Sequence, residues 1–343
     1  MDKRRRQKIS ITIIIILLFI GVLLIALNWK NVQRILGVAN WELTLIALIF
    51  IVLSYFCLSY GFTIACKIFN IPMKQLELIE IGYVSAALNN LLDFMGMGGH
   101  VLRLMLMQRQ GVATGQAFAA SLFHSHLHNL GMFCLLPTGL FYLLIHSSVQ
   151  GGSAISIGLT TAVITFFIVL ATVVIFKRPL RLSVLRILTR VIRFVIRKDI
   201  TAFLNSFDET MTAGVAAIKD RPQMLALIVI LVVSEWVLML VAFWFCFDAF
   251  GSPVRPGILI TGFAVGISVG NLSMLPGGLG IQEASMAGIF ALLGESFERA
   301  VLASILFRVV YDFIPYLVSL FFYRHILRLR FQRSDLIEPV LPK

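Results

Sequence analysis

Leu275-Pro276-Gly277-Gly278-Leu279-Gly280-Ile281-Gln282-Glu283 is a glycine-rich break, closed by a carboxylate, in the otherwise apolar region 256–294. Its flanks are too apolar for a soluble surface loop. Lipid cannot hydrogen-bond to bare backbone, so irregular chain at membrane depth must be buried in protein or line a wet cavity. Transporters build binding sites at such broken helices.

The composition around this stretch fits a membrane setting. Of 343 residues, 59% are hydrophobic and 13% charged, whereas a soluble domain carries about 25% charged residues. Apolar runs near the ~20 residues that span a bilayer recur along the chain. This predicts an all-α polytopic membrane protein, one integral membrane domain over 1–343, with no polar stretch long enough for a soluble catalytic domain. The net charge is +12, but the basic residues flank apolar runs, so topology and anionic headgroups account for them and nucleic acid does not. Cys57, Cys66, Cys134 and Cys246 are scattered through apolar segments without metal or disulfide spacing. No cofactor is implied.

Full spans are expected near 9–27, 41–65, 116–145, 155–176, 223–248 and 299–323. The first follows Met1-Asp2-Lys3-Arg4-Arg5-Arg6 and is too long for a signal peptide, so it reads as an uncleaved anchor. Lys and Arg bias places the N-terminus, 177–221 and the tail from Arg324 on the cytoplasmic side, and 146–154 and 249–254 outside. With these anchors, the broken region 76–109 must start and end inside, and 256–294 must start and end outside. Each then reads as a re-entrant hairpin of two short helices, and the two enter from opposite faces.

That arrangement is an inverted pseudo-repeat: about 41–176 and 223–323, joined by the basic linker 177–222. The sequence echoes it. Asn89-Asn90 precedes Gly96-Met97-Gly98-Gly99, as Asn271 precedes Gly277-Gly278. Ala120-Ser121-Leu122-Phe123-His124 is followed by His128, and Ala303-Ser304-Ile305-Leu306-Phe307-Arg308 by Asp312. In the linker, Arg186, Arg190, Arg193 and Arg197 recur at helical spacing between apolar residues. They describe an amphipathic helix resting on anionic headgroups, a positive-inside loop, or both.

Leu275-Pro276-Gly277-Gly278-Leu279-Gly280 with Glu283, Leu306-Phe307-Arg308 and Pro315 resembles the lysylphosphatidylglycerol synthase transmembrane family. That family includes the flippase half of multiple peptide resistance factors and stand-alone flippase-like proteins. Asn89-Asn90-Leu91-Leu92 followed by Gly99 and Arg103 resembles its first motif, and the likeness covers about 40–325. His100 stands where that motif usually has an acidic residue, and His124-Ser125-His126-Leu127-His128 replaces an acidic and arginine pattern. The headgroup is therefore not carried over. About twenty residues follow the last span, so the resemblance implies the transport half alone, without the synthase domain, in the inner membrane of a bacterium or archaeon.

Ionisable residues inside spans are costly and by default suggest function. Arg308 and Asp312 lie four apart on one helix face. Arg308 reads as a ligand for a lipid phosphate, or as an ion-pair partner of Asp312 or Glu283. Glu283 opens a half-helix and reads either as a cap, or as a gating or proton-linked carboxylate or a site for a cationic headgroup. Gly98, Gly99, Pro276, Gly277, Gly278 and Gly280 form the two breaks and would let backbone N–H groups approach an anion. His124 and His128 share a face; a metal would need a third ligand such as Asp93 or Glu283, and without an HExxH pattern no metal is assigned. Polar packing, headgroup contact and pH response remain open for them. Glu235 reads as half of a buried pair with an Arg or His, or as a substrate contact. Arg103 is the deeper phosphate candidate, and Arg109 an anchor at the membrane boundary.

The resulting expectation is movement of a phospholipid or polyprenyl-linked lipid between leaflets. The polar cavity would be lined by Arg103, His124, His128, Glu235, Glu283, Arg308 and Asp312. The alternatives are an intramembrane lipid-modifying enzyme and a non-catalytic partner of an envelope-synthesis enzyme. Homo-oligomerisation stays open.

Overall fold

The computed structural model describes residues 37–92, 98–146, 152–196, 201–220, 222–272, 278 and 280–335. These form helices joined by short turns and loops, with no strand among the described residues. The expected first span 9–27, Asp93, Pro276 and Gly277 lie outside the described residues.

Two helices form the axis: α1 (Trp41–Ile68) and, later in the chain, Pro222–Asp248. Between them lie α2 (Gln75–Leu92), α3 (Gly98–Arg109), α4 (Thr114–His146), α5 (Gly152–Phe176), α6 (Arg178–Ile196) and α7 (Thr201–Asp220), which makes Pro222–Asp248 α8. After it come α9 (Pro256–Leu272), α10 (Ile281–Leu292), α11 (Phe297–Arg308), a π-turn over Val309–Phe313, and α12 (Ile314–Asp335).

Three helical stretches are long and apolar enough to cross a membrane: Trp41–Ile68, Pro222–Asp248 and Phe297–Ile326. They coincide with three of the expected spans, and α4 and α5 cover two more. Local chemistry sets their ends. Asn40 caps α1, its side-chain oxygen accepting from the N–H groups of Glu42 (3.0 Å) and Leu43 (3.3 Å). Pro222 and Pro256 open α8 and α9, where a missing N–H costs nothing. The outward faces stay apolar, with Ile49, Val52, Phe56, Phe166, Phe167, Ile230, Val233 and Phe321 exposed. A bilayer would cover these faces; water would not, and the protein is a membrane protein.

α1 and α8 pack along their lengths and run antiparallel. Asn40 N–H donates to the Ala249 carbonyl (2.9 Å), Phe50 stacks on Phe245, and Gly61 approaches Leu231. Their interface buries Ala47, Ile51 and Phe62 against Ile228, Val232, Met239 and Phe243. Fully burying one such side chain contributes roughly 1.5–3 kcal/mol in water; within lipid, close packing takes over that role.

Two helical hairpins use opposite ends of this axis. The first, α2–α3, starts beside the C-terminus of α1, where Lys67 donates to Gln75 (3.2 Å). The chain returns to the same end, because Gln116 at the start of α4 donates to the Phe69 carbonyl (2.8 Å). The second, α9–α10, follows the C-terminus of α8, and Arg299 just after it donates to the Gly251 carbonyl (3.4 Å). At ~1.5 Å per residue, the 12-residue α3 and α10 reach only about 18 Å, short of the ~30 Å hydrocarbon core.

The packing has a two-fold pattern. α2 packs on α12 and α9 on α4; α3 packs on α4 and α10 on α11; α1 meets the π-turn as α8 meets α4. The basic α6–α7 linker sits at the end used by the first hairpin, since Gly214 packs on Phe69, and Gly115 on Ser206. The end of α12 is there too, with His325 on Glu80 (2.9 Å). The two described segments richest in Lys and Arg, 177–196 and 324–335, thus share one end.

Candidate functional site

Tyr55 and Trp236 stand near the midpoints of α1 and α8, each the fifteenth residue of its helix. Tyr55 donates its hydroxyl to the Tyr311 carbonyl inside the π-turn (3.0 Å) and accepts from Asn90 at the end of α2 (2.9 Å). Trp236 donates to the His128 carbonyl in α4 (3.0 Å). A π-turn displaces carbonyls from the regular ladder, and here Tyr55 takes one up. Both hairpins end at this level, so the polar residues gather around the middle of the axis.

At the second hairpin, Gly278 (φ +60°) and Gly280 (φ +78°) make the turn into α10 in the left-handed region. Gly280 N–H donates to one oxygen of Glu283 (2.8 Å), and the other oxygen pairs with Arg308 Nε. Asp312 lies 3.9 Å from the same nitrogen. All three side chains are buried. Glu283 therefore caps α10 and also pairs with Arg308. The arrangement is a trio of two carboxylates around one guanidinium.

At the first hairpin, α3 begins at Gly98, so Gly98 and Gly99 belong to the helix rather than to the break. The reason is close approach. A side chain on Gly99 would run into the Ser85 carbonyl and Asn89, and Gly99 N–H donates to the Asn89 side-chain oxygen (3.1 Å). One turn on, buried Arg103 donates from Nε to the Ser85 hydroxyl (3.0 Å), its guanidinium 4.1 Å from the centre of the Phe62 ring. His124 meets the same ring edge-on (5.7 Å) and is buried. His100 contacts the Ser125 hydroxyl (3.3 Å).

Between the hairpins, His128 Nδ1 lies 2.8 Å from Glu235, which is fully buried, and the His128 ring stacks on Trp236 (5.0 Å). This is the His partner expected for Glu235. Tyr311 lies within electrostatic reach of Glu235 and Asp312, and His124 of Arg103, His100 and His128. Buried polar residues thus fall into three groups around the middle of the axis: Arg103 with Ser85 and His124 at the Phe62 ring, His128 with Glu235, and Arg308 with Glu283 and Asp312. Among the described residues no three His, Cys, Asp or Glu side chains converge as metal ligands.

The description "lysylphosphatidylglycerol synthase TM region" matches residues 9–319. The chain belongs to this family. A member-like relative, a UPF0104 membrane protein of Pyrococcus horikoshii, is 22% identical over 319 residues, covering 89% of this chain and 94% of the relative. A UPF0104 membrane protein of Methanothermobacter thermautotrophicus is 29% identical over 127 residues, covering 36% of this chain and 34% of that one.

In this lysylphosphatidylglycerol-synthase-type membrane domain, Glu283, Arg308 and Asp312 meet at the second hairpin, His128 pairs with Glu235, and Arg103 and His124 share the Phe62 ring. Sequence reasoning missed Tyr55, Phe62, Ser85 and Tyr311. The signal was available for Tyr55: aligning the two axis helices end to end sets it opposite Trp236.

Proposed function

We propose that this protein moves a lipid or lipid-linked molecule between the leaflets of the cytoplasmic membrane. The headgroup would pass these buried polar groups while the acyl chains stay in lipid. The observation that carries this reading is the pair of short-helix hairpins that use opposite ends of the α1–α8 axis and end at buried charges near its middle. Inverted repeats with broken helices meeting at mid-depth suit alternating access.

In this reading α2–α3 and α9–α10 are re-entrant hairpins, 41–176 and 223–323 are inverted repeats, and six full spans include 9–27. The end carrying α6, α7 and the end of α12 faces the cytoplasm, with both termini, because Lys and Arg favour that side. The α6–α7 linker supports this. Arg178 and Arg181 clamp Asp208 (3.1 and 2.7 Å), fixing α6 on α7. Beside them an open groove of about 640 Å³ is lined by Leu182, Leu185, Leu204, Arg186 and Arg190. Leucines with arginines at the rim suit an anionic phospholipid at the headgroup level.

The test is leaflet exchange in liposomes containing the purified protein, with headgroup-labelled anionic, cationic and zwitterionic lipids. Exchange that slows in Arg308→Lys and Glu235→Gln, both folded, is the expected result. Absence of exchange with every lipid, or unchanged exchange in both variants, overturns it.

A further inference from the structure

The two arginines at the hairpins have different company. Arg308 faces Glu283 and Asp312. Arg103 is 5% exposed, and the groups acting on it include no carboxylate among the described residues. Its Nε is used by Ser85, its flat face by Phe62, and its Nη1 has no hydrogen-bond partner. A buried guanidinium without a counter-charge is expensive, and Arg is never neutralised by losing its proton under ordinary conditions.

The neighbourhood repeats the pattern. Ser121, buried one turn before His124, has no partner for its hydroxyl. His124 lies at the Leu58 carbonyl, with Nε2 lacking an aligned partner. His100 and His128 lie within electrostatic reach. Glu235 meets His128 with one oxygen, and its other oxygen has no partner. Arg103 and Ser121 thus keep unused buried donors, and among the described residues no carboxylate acts on Arg103.

We propose that the first hairpin holds a buried oxyanion site, in which Arg103 binds a phosphate group with Ser121 and His124 as further donors. Guanidinium suits this ligand because its fork can give two parallel hydrogen bonds to one phosphate. A lipid phosphodiester and free inorganic phosphate share this chemistry. The site deepens the transport reading by naming the group that the first hairpin takes, yet binding is measured without transport. Loss of exchange with binding intact sinks only the transport reading; absence of binding with exchange intact sinks only this site.

The experiment is thermal unfolding of the whole protein in detergent, with three probes: inorganic phosphate, phosphatidylglycerol and phosphatidylcholine. Wild type should be stabilised by phosphatidylglycerol, and Arg103→Gln should need at least tenfold more lipid for the same shift. Without ligand, Arg103→Gln should melt at or above the wild-type temperature, since it removes an uncompensated charge. Arg103→Lys, which keeps charge but not the fork, should fall between. A matching shift with inorganic phosphate assigns a soluble anion to the site; a shift with phosphatidylglycerol alone assigns a lipid. The proposal is overturned if no phosphate probe shifts wild type more than Arg103→Gln, or if Arg103→Gln melts lower and ligand shifts it as in wild type. It is also overturned if binding appears only in Asp93→Asn, which would make Asp93 the counter-ion.

Discussion

The two hairpins share a plan and differ in charge. The second closes on itself: Glu283 caps α10, grips Arg308 and is joined by Asp312. The first offers Arg103, His100 and His124, and among the described residues no carboxylate acts on Arg103 or His124. The two hairpins thus both carry buried charge, but only the second balances it. The balanced hairpin is part of what holds the bundle together, and the unbalanced one is the better place for a ligand. Arg308→Ala strips the counter-charge from two buried carboxylates and should cost about 3–5 kcal/mol, read as a large drop in the thermal midpoint in detergent. Arg103→Gln should leave the midpoint unchanged or raise it without ligand, because relief of an uncompensated buried charge offsets the hydrogen bond lost to Ser85. Equal destabilisation by the two substitutions would erase the contrast.

The hairpins also use glycine differently. Gly99 is there for space: an added Cβ would meet the Ser85 carbonyl and come 2.6 Å from Asn89 Cβ. Gly99→Ala should therefore push α3 off α2 at a cost of about 2–3 kcal/mol, in the overpacking range. The position also seats Arg103 one turn later, so the same variant should weaken any phosphatidylglycerol-dependent shift.

Much of this was legible in the sequence, for identifiable reasons. Spans such as 41–65 and 223–248 announce themselves because lipid demands long apolar helices. The hairpin at 256–294 could be inferred because Pro276-Gly277-Gly278 cannot continue a helix. The Glu235–His128 pair was foreseeable in kind, since a mid-span carboxylate needs a partner. What could not be read was which cation it takes, because that depends on how α4 crosses α8, and no local pattern encodes the crossing. Gly98 and Gly99 were misplaced in the break for the same reason. Only the approach of α2 reveals that they are helical and small. Tyr55 was overlooked because a tyrosine in an apolar helix reads as packing until its hydroxyl meets a π-turn.

The axis gives a finer comparison. Tyr55→Phe keeps the ring but leaves the Tyr311 carbonyl and the Asn90 amide without their shared partner. The cost should be about 1–2 kcal/mol, the range for buried groups left unsatisfied. Trp236→Phe leaves the His128 carbonyl in the same position and should cost a similar amount. Thermal midpoints of the two single variants and the double variant test whether these links act independently. Near-additive loss is expected, since they tie different helices: α1 to the π-turn and α8 to α4.

Among the variants expected to lose stability, the smallest loss should come from Gly280, and its form matters more than its size. Gly280 has φ +78°, and among the described residues nothing lies within 4 Å of where its Cβ would stand. The requirement is torsional, so Gly280→Ala should cost about 1 kcal/mol. Larger residues should cost little more, because there is open space to receive them. At Gly99 the requirement is steric, so cost should rise steeply from Ala to Ser to Val. A flat series at Gly280 beside a graded series at Gly99, both read from thermal midpoints, would establish that one hairpin uses glycine to turn and the other to pack. A graded series at Gly280 would mean that the tip of the second hairpin packs as closely as the first, and the contrast between them would rest on charge alone.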